Sequence, residues 1–296
     1  MAQLDLKIPS LKLPDGNEIP VLAYGTGTAW FKKQPGDTDK KLVESIKTAI
    51  GMGYYHLDGA EVYNTELELG KAIKESGIAR EKLFVTTKCN NTTSNIQEHF
   101  DESLKKLGLD HVELYLLHQP FDAKGDKTIL QKAWAAMEQI AASGKAKSIG
   151  VSNFLQPHIE AILETAQTRP AINQIEYHPY LQHGDLIAYH KAKDIRLSAY
   201  APQVPVTKVP EGPLTPLLDK LSRKYAVNPG EILLRWVLDQ DIVAITTSSK
   251  EQRMSDMLRT VTFTLTPKEL SDISEVGNSF HYRAFWTHIF DAKDRS

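Results

Sequence analysis

Eight short runs of β-branched, aromatic and aliphatic residues recur along the chain, each followed by a stretch with helical spacing. This alternation limits the fold more than any other feature. The runs cover residues 21–27, 54–60, 83–89, 112–119, 148–153, 172–178, 196–202 and 243–248. Helical patterns lie between them, at 37–52, at 94–107 with Ile96, Phe100, Leu104 and Leu107 on one face, and at 132–142. Parallel strands need a crossover between them, and a helix is the usual one, so repeated strand–helix units build a parallel sheet. Eight such units within about 230 residues favour an α/β fold of the closed (β/α)8 or TIM-barrel type. A doubly wound open sheet would carry a GxGxxG turn after its first strand, and Gly25-Thr26-Gly27-Thr28 does not supply one.

The length of 296 residues suits one barrel with modest insertions, a single domain spanning 1–296. Residues 11–20, LKLPDGNEIP, put Asp-Gly between alternating residues, a hairpin signal expected to cap the bottom of the barrel. Residues 203–213 form a proline-rich loop after the seventh strand, a candidate lid. It is followed by helices at 214–225 and from Asn228-Pro229 onward. The tail from Asn278 is aromatic and irregular.

Composition removes several function classes. The 35 Lys and Arg against 37 Asp and Glu give a net charge of −2 with the signs interspersed, so no nucleic-acid surface is expected. A single cysteine, Cys89, excludes a disulfide framework, zinc fingers and iron–sulfur clusters, and suits a reducing compartment. The start MAQLDLKIPS lacks a basic segment followed by an apolar run, and no stretch approaches 18 consecutive apolar residues, so no membrane segment is expected and the chain reads as cytoplasmic.

Barrel enzymes keep their chemistry at the C-terminal ends of the strands. On the strand assignment above, Asp58, Lys88 and His118 end consecutive strands, and Tyr63 follows Asp58 by five residues in a loop. A free tyrosine titrates near pH 10, and a neighbouring ammonium such as Lys88 favours its phenolate. Asp58 would hold Lys88 charged and oriented, while His118 would donate to an oxygen gaining negative charge. The four residues together describe protonation of a carbonyl oxygen. Nothing among them delivers a hydride, so reduction requires a nicotinamide cofactor.

At these residues the sequence resembles the aldo-keto reductase family. GYYHLDGAEVYNTELELG at 53–70 is similar to the family's long signature, and VTTK at 85–88, LYLLH at 114–118, IGVSNF at 149–154, NQIEYHP at 173–179 and LLRW at 233–236 match further along. The likeness covers residues from about 15 to 276. ITTSSK at 245–250 and YRAF at 282–285 look most like the yeast and fungal subgroup that reduces conjugated polyketones and ketopantoyl lactone.

The resemblance implies Tyr63 as general acid, Asp58 and Lys88 as its tuning pair and His118 as the group that orients the carbonyl. It also implies that Ser152, Asn153 and Gln174 hold the nicotinamide carboxamide and that Tyr200 stacks on the ring. Gly27, Thr28, Ala29, Ala201, Pro202 and Gln203 complete that end of the cofactor site. Thr247, Ser248, Ser249, Lys250 and Arg253 form the adenine end. Thr247 stands where the family more often has a lysine and Met257 where an asparagine is expected, and Lys250 is read as compensating, so NADPH is expected over NADH. The substrate pocket would be lined by Trp30, Asn90, Gln119, Phe285, Trp286 and His288, besides Ala29. Ala29, Asn90 and Gln119 replace aromatic residues of the aldose-reductase pattern, implying a roomier, more polar pocket for ketones, dicarbonyls, keto esters or lactones as well as aldehydes.

Competing expectations use the same residues. Lys88 as a Schiff-base lysine would make a class I aldolase, although Asp58 beside it argues against a neutral amine. His56, Asp58 and His118 could bind a metal but supply too few ligands for a convincing cluster, so no metal is expected. A cofactor-binding regulatory subunit is the remaining alternative. Cys89 is expected to face away from Lys88 by strand alternation and to be structural. The chain is expected to act as a monomer or weak dimer on a small carbonyl compound.

Overall fold

The computed structural model describes residues 6–296; the first five residues of the MAQLDLKIPS start lie outside it. The eight runs form one closed parallel barrel. Its strands are β3 (Leu22–Gly25), β4 (His56–Asp58), β5 (Phe84–Cys89), β6 (Val112–Leu117), β7 (Ala146–Ser152), β8 (Ile172–Glu176), β9 (Arg196–Tyr200) and β10 (Val243–Thr246), and β10 pairs with both β9 and β3 to close the ring. Each strand is a residue or more shorter at its C-terminal end than its apolar run, except β5, because the last residues leave the ladder and enter the loops at the barrel mouth.

The expected hairpin is present as β1 (Ser10–Lys12) and β2 (Glu18–Pro20), paired antiparallel with Leu11 opposite Ile19. Leu13 and Ile19 are buried with Phe84, Leu114, Leu116, Ile172 and Val243, residues from the lower part of the barrel interior. The hairpin is therefore an apolar plug for the end opposite the site. Above it, His56 Nδ1 lies 3.1 Å from the Pro20 carbonyl and Nε2 lies 3.1 Å from Thr86 Oγ1. Burial drives the ring down to a pKa of about 4, so it is neutral, and with a carbonyl at Nδ1 that nitrogen carries the proton. Both nitrogens are thus committed, which removes His56 from the metal-site alternative.

The outer layer contains α1 (Lys40–Gly51), α2 (Glu66–Ser76), α3 (Ile96–Leu107), α4 (Lys127–Ala142), α5 (Gln156–Leu163), α6 (Leu186–Ala192), α7 (Val204–Thr207), α8 (Thr215–Tyr225), α9 (Pro229–Leu238), α10 (Glu251–Leu258) and α11 (Pro267–Asn278). In α3, Ile96, Phe100, Leu104 and Leu107 are all buried, as their spacing predicts, and each full burial is worth about 1.5–3 kcal/mol. Asn95 caps its first turn by accepting from the Glu98 N–H, and Gly108 ends it in the left-handed conformation at φ 64°.

Two boundaries differ from the sequence expectation. Helix α4 begins at Lys127, ahead of the expected 132, because the Asp126 carboxylate accepts the Thr128 N–H and starts the helix early. The segment at 203–213 is not all loop. Val204 and Pro205 are buried in the single turn of α7, which leaves Thr207, Lys208, Pro210, Glu211 and Pro213 as its exposed part. Among the described residues no helix is long and apolar enough to cross a membrane.

Candidate active site

Asp58, Lys88 and His118 converge at the mouth because each ends, or directly follows, a different neighbouring strand. Lys88 is fully buried, and its ammonium donates to Asp58 Oδ1 at 2.7 Å and to the Gly59 carbonyl at 2.6 Å. The other Asp58 oxygen accepts from Gln174 Nε2 at 2.9 Å. Burial pulls the Lys88 pKa below its ordinary value and the Asp58 charge opposes that fall, so the carboxylate keeps the amine protonated. A free amine for Schiff-base chemistry does not fit this pairing.

Tyr63 reaches the same place from a short 3-10 turn, Glu61–Tyr63, that follows β4. Its ring is edge-on to His118 at 5.5 Å between centroids, its hydroxyl lies 3.4 Å from His118 Nε2, and Lys88 Nζ stands 5.0 Å from its ring centre. A side chain at Gly27 would place its Cβ 3.1 Å from the Tyr63 ring, so the tyrosine position depends on that glycine.

The electrostatics depart from the simplest expectation at one point. Burial, followed by the Asp58 charge, pushes the Tyr63 phenol well above 10, whereas Lys88 alone would lower it. The reason is that burial strips the phenolate of water, and the Asp58 carboxylate adds a like charge. Tyr63 is therefore a protonated phenol in the resting site. His118 is driven well below 6.5, first by burial and then by Lys88, so its ring is neutral; its Nδ1 is buried without a partner among the described residues.

A second ring of contacts joins the remaining mouth residues. Ser152 Oγ donates to the Gln174 carbonyl at 2.7 Å, and Asn153 Nδ2 donates to the His118 carbonyl at 2.9 Å. The Tyr200 hydroxyl donates to Asn153 Oδ1 at 2.7 Å, and Phe285 packs edge-on against the Tyr200 ring at 5.4 Å. Asn153 and Ala201 both have left-handed backbones, φ 61° and 54°, which turn the chain sharply at the barrel rim. Pro202 is buried behind that turn, while Thr28 and Ala29 are exposed at the mouth.

At the end of β10, Ser248 Oγ accepts the Lys250 N–H at 3.0 Å, and the Ser248 carbonyl accepts from the Tyr24 hydroxyl at 2.8 Å. Thr247 Oγ1 is buried with no partner among the described residues. Ser249, Lys250 and Arg253 are exposed at the start of α10, and neither cation forms an ion pair among the described residues.

The expected pocket residues divide. Asn90 keeps its side-chain amide free of hydrogen bonds among the described residues while its N–H donates to Glu61 Oε1 at 2.6 Å. Gln119 does not, because its amide donates to the Asn90 carbonyl and to Asp122 and accepts from the Phe121 N–H. Trp30 donates to the Tyr24 hydroxyl at 3.0 Å. Trp286 packs on Phe121 at 4.9 Å and on His288, which is itself exposed.

Two contributors escaped the sequence reading. Buried Glu176 accepts the Ala284 and Phe285 N–H groups at 2.7 and 3.0 Å and so pins the aromatic tail over the mouth. Half-exposed Phe31 packs edge-on to the Tyr63 ring at 6.4 Å. A carboxylate inside an inward strand pattern, at β8, was the available signal for Glu176.

Comparisons with known proteins agree with this geometry. The family model described as the aldo/keto reductase family matches residues 22–204 and 210–278, with its break inside the 203–213 segment. An NAD/NADP-dependent indole-3-acetaldehyde reductase of Schizosaccharomyces pombe is 40% identical over 276 residues, 93% of this chain and 97% of that protein. An NADPH-dependent alpha-keto amide reductase of Saccharomyces cerevisiae is 38% identical over 293 residues, 94% of each chain. The crystal structure of a Bombyx mori aldo-keto reductase in complex with NADP superposes with a TM-score of 0.81 at 34% identity, over 91% of this chain and 93% of that one. With most of its length inside the family match, and with full-length relatives well above 30% identity, the chain belongs to the aldo/keto reductase family.

Proposed function

We propose that the protein reduces ketones, dicarbonyls, keto esters or keto lactones, and aldehydes, to alcohols with NADPH, using Tyr63 as the general acid. The observation that carries this reading is the buried cluster in which a protonated Tyr63 and a neutral His118 share one face, 3.4 Å apart, above the Lys88–Asp58 pair. A bound nicotinamide dinucleotide supplies the hydride.

The residues around the mouth fit such a group. Ser152, Asn153 and Gln174 offer a polar edge, with the Gln174 amide nitrogen committed to Asp58 and its carbonyl oxygen left for a carboxamide N–H. Tyr200, braced by Asn153 and Phe285, offers a flat face. The orphaned Thr247 hydroxyl, together with Ser248, Ser249, Lys250 and Arg253 at a helix start, suits a phosphate. Two free cations there favour NADPH over NADH.

A neutral His118 with its proton on Nε2 donates to the substrate oxygen and holds it beside the Tyr63 hydroxyl. It cannot serve readily as the acid, since losing that proton would leave an imidazolate. Tyr63 therefore gives the proton, and the phenolate left behind is stabilised by Lys88, which Asp58 keeps charged. Such preorganisation belongs to an enzyme rather than to an accessory subunit.

Small Ala29 and the free Asn90 amide support a roomy, polar pocket, with Trp30, Phe285, Trp286 and His288 as its aromatic wall and Gln119 bracing the floor. The test is NADPH consumption across a panel of diketones, keto esters, keto lactones and aryl aldehydes. Turnover highest on the first three groups is expected; strong preference for simple aryl aldehydes would overturn the substrate reading.

A further inference from the structure

The alternation that aims Lys88 into the barrel aims Cys89 outward, toward α3. Two more ligand-type side chains meet it there from separate segments, His99 from the first turn of α3 and Glu61 from the turn that carries Tyr63. Glu61 Oε2 is 2.7 Å from His99 Nδ1, and one ligand atom from each of Glu61, Cys89 and His99 lies within 4.8 Å of the others. The thiol is fully buried, 3.5 Å from the Asn91 carbonyl, with the Ser94 and Tyr115 hydroxyls beside it. The Tyr115 hydroxyl is buried against the thiol. The cluster is thus buried on the Cys89 side and open to solvent on its outer side, where the His99 side chain is 36% exposed.

We infer that Glu61, Cys89 and His99 form a binding site for a borderline-soft divalent cation of the zinc class, placed to control the active site from behind. Hard cations such as magnesium or calcium reject a thiol, whereas zinc accepts sulfur, nitrogen and carboxylate oxygen in a tetrahedron whose fourth position water can fill. Bond lengths of about 2.0–2.3 Å put ligand atoms about 3.3–3.6 Å apart, so the Glu61–His99 contact opens by a little over half an ångström while Cys89 closes in. On binding, the Cys89 thiol loses its proton to solvent as the sulfur–metal bond forms; no electrons are transferred.

Glu61 links the site to turnover. Its Oε1 holds the Asn90 N–H at the pocket wall, and Tyr63 lies two residues further along the same turn. Drawing Glu61 onto a cation displaces both, so occupation is expected to suppress reduction; this consequence rests on Tyr63 being the acid, whereas the binding itself does not.

The experiment titrates the full-length protein, without NADPH, with Co2+ as a spectroscopic stand-in for Zn2+. One equivalent is expected to bind with a thiolate-to-cobalt charge-transfer band that is lost in Cys89→Ser, and binding is expected to weaken by at least about tenfold in His99→Ala, a surface change that leaves the fold intact. Zn2+ is expected to inhibit NADPH-dependent turnover in a way a chelator reverses, with its midpoint raised by the same factor in His99→Ala, each protein being compared with its own metal-free rate. Absence of the charge-transfer band, or a cobalt affinity unchanged in His99→Ala, overturns the site. Zinc inhibition that persists unchanged in His99→Ala overturns its control of turnover. If no carbonyl is reduced at all, the reductase reading fails while the cobalt band still decides the site.

Discussion

The Lys88–Asp58 pair can be tested by removing only its charge. Asp58→Asn keeps the shape but leaves a fully buried ammonium without its carboxylate, and it turns one of the two acceptors facing Lys88 and Gln174 into a donor. Breaking a buried ion pair from one side costs about 3–5 kcal/mol, a large share of the roughly 5–15 kcal/mol that holds a protein folded. With about 0.6 kcal/mol/K of unfolding entropy for a chain of 296 residues, Tm should fall by about 5–8 °C. Burial already depresses the Lys88 pKa, and losing Asp58 depresses it further. The sign follows: the unfolded chain then binds more protons than the folded one below the ordinary lysine pKa, so the variant's stability rises with pH toward that value and is lost as pH falls. Denaturant unfolding of Asp58→Asn, Lys88→Met and the double variant forms a cycle in which the double variant should recover much of the single loss, because no buried charge remains. A single loss under about 1 kcal/mol, or a double variant no better than Asp58→Asn, would refute the claim that Asp58 compensates Lys88.

Acid should destabilise the wild type before its carboxylates titrate. His56 and His183 are held neutral by burial at about 4 against an ordinary 6.5, so stability is full above 6.5 and falls as pH drops toward 4, by about 2 kcal/mol for each residue at pH 5; denaturant unfolding that stays flat from pH 7 to 5 would contradict this. Lys250→Ala and Arg253→Ala should each raise KM for NADPH about tenfold, with little effect on NADH and a weaker effect at high salt; equal losses with both cofactors would place the 2′-phosphate elsewhere. Glu176→Gln weakens the clamp on Ala284 and Phe285, and should raise KM for bulky carbonyls about tenfold while leaving kcat for a small one within about twofold, as steady-state kinetics on two substrates will show.

Local rules carry the barrel a long way. Every strand is visible because an interior strand buried on both faces must be apolar along its length, and the Asp-Gly hairpin is visible because its turn needs those residues. Residues 127–131 escaped because the apolar spacing strengthens only later, although Asp126 was a cap in plain sight. The tetrad was legible because strand ends in a barrel share a face. What escaped depends on contacts distant in sequence. Glu176 acts on Ala284, more than a hundred residues away, and the Gln119 amide is held by the Asn90 carbonyl, 29 residues before it. The Tyr63 phenol runs opposite to the simple charge argument, because residue types show that a lysine is near but not how completely the phenol is buried or that Asp58 adds its charge.

The central claim, that Tyr63 protonates the substrate at this site, is tested most directly by single-turnover reduction of a diketone or keto ester in wild type and Tyr63→Phe, with NADPH binding measured in parallel by fluorescence. The expected result is a rate lower by about 10²–10⁴ in the variant with NADPH affinity within a factor of two, since general acid catalysis contributes on that order and the hydroxyl alone is removed. A variant that reduces the carbonyl within about tenfold of the wild-type rate would contradict it and move the proton to another donor.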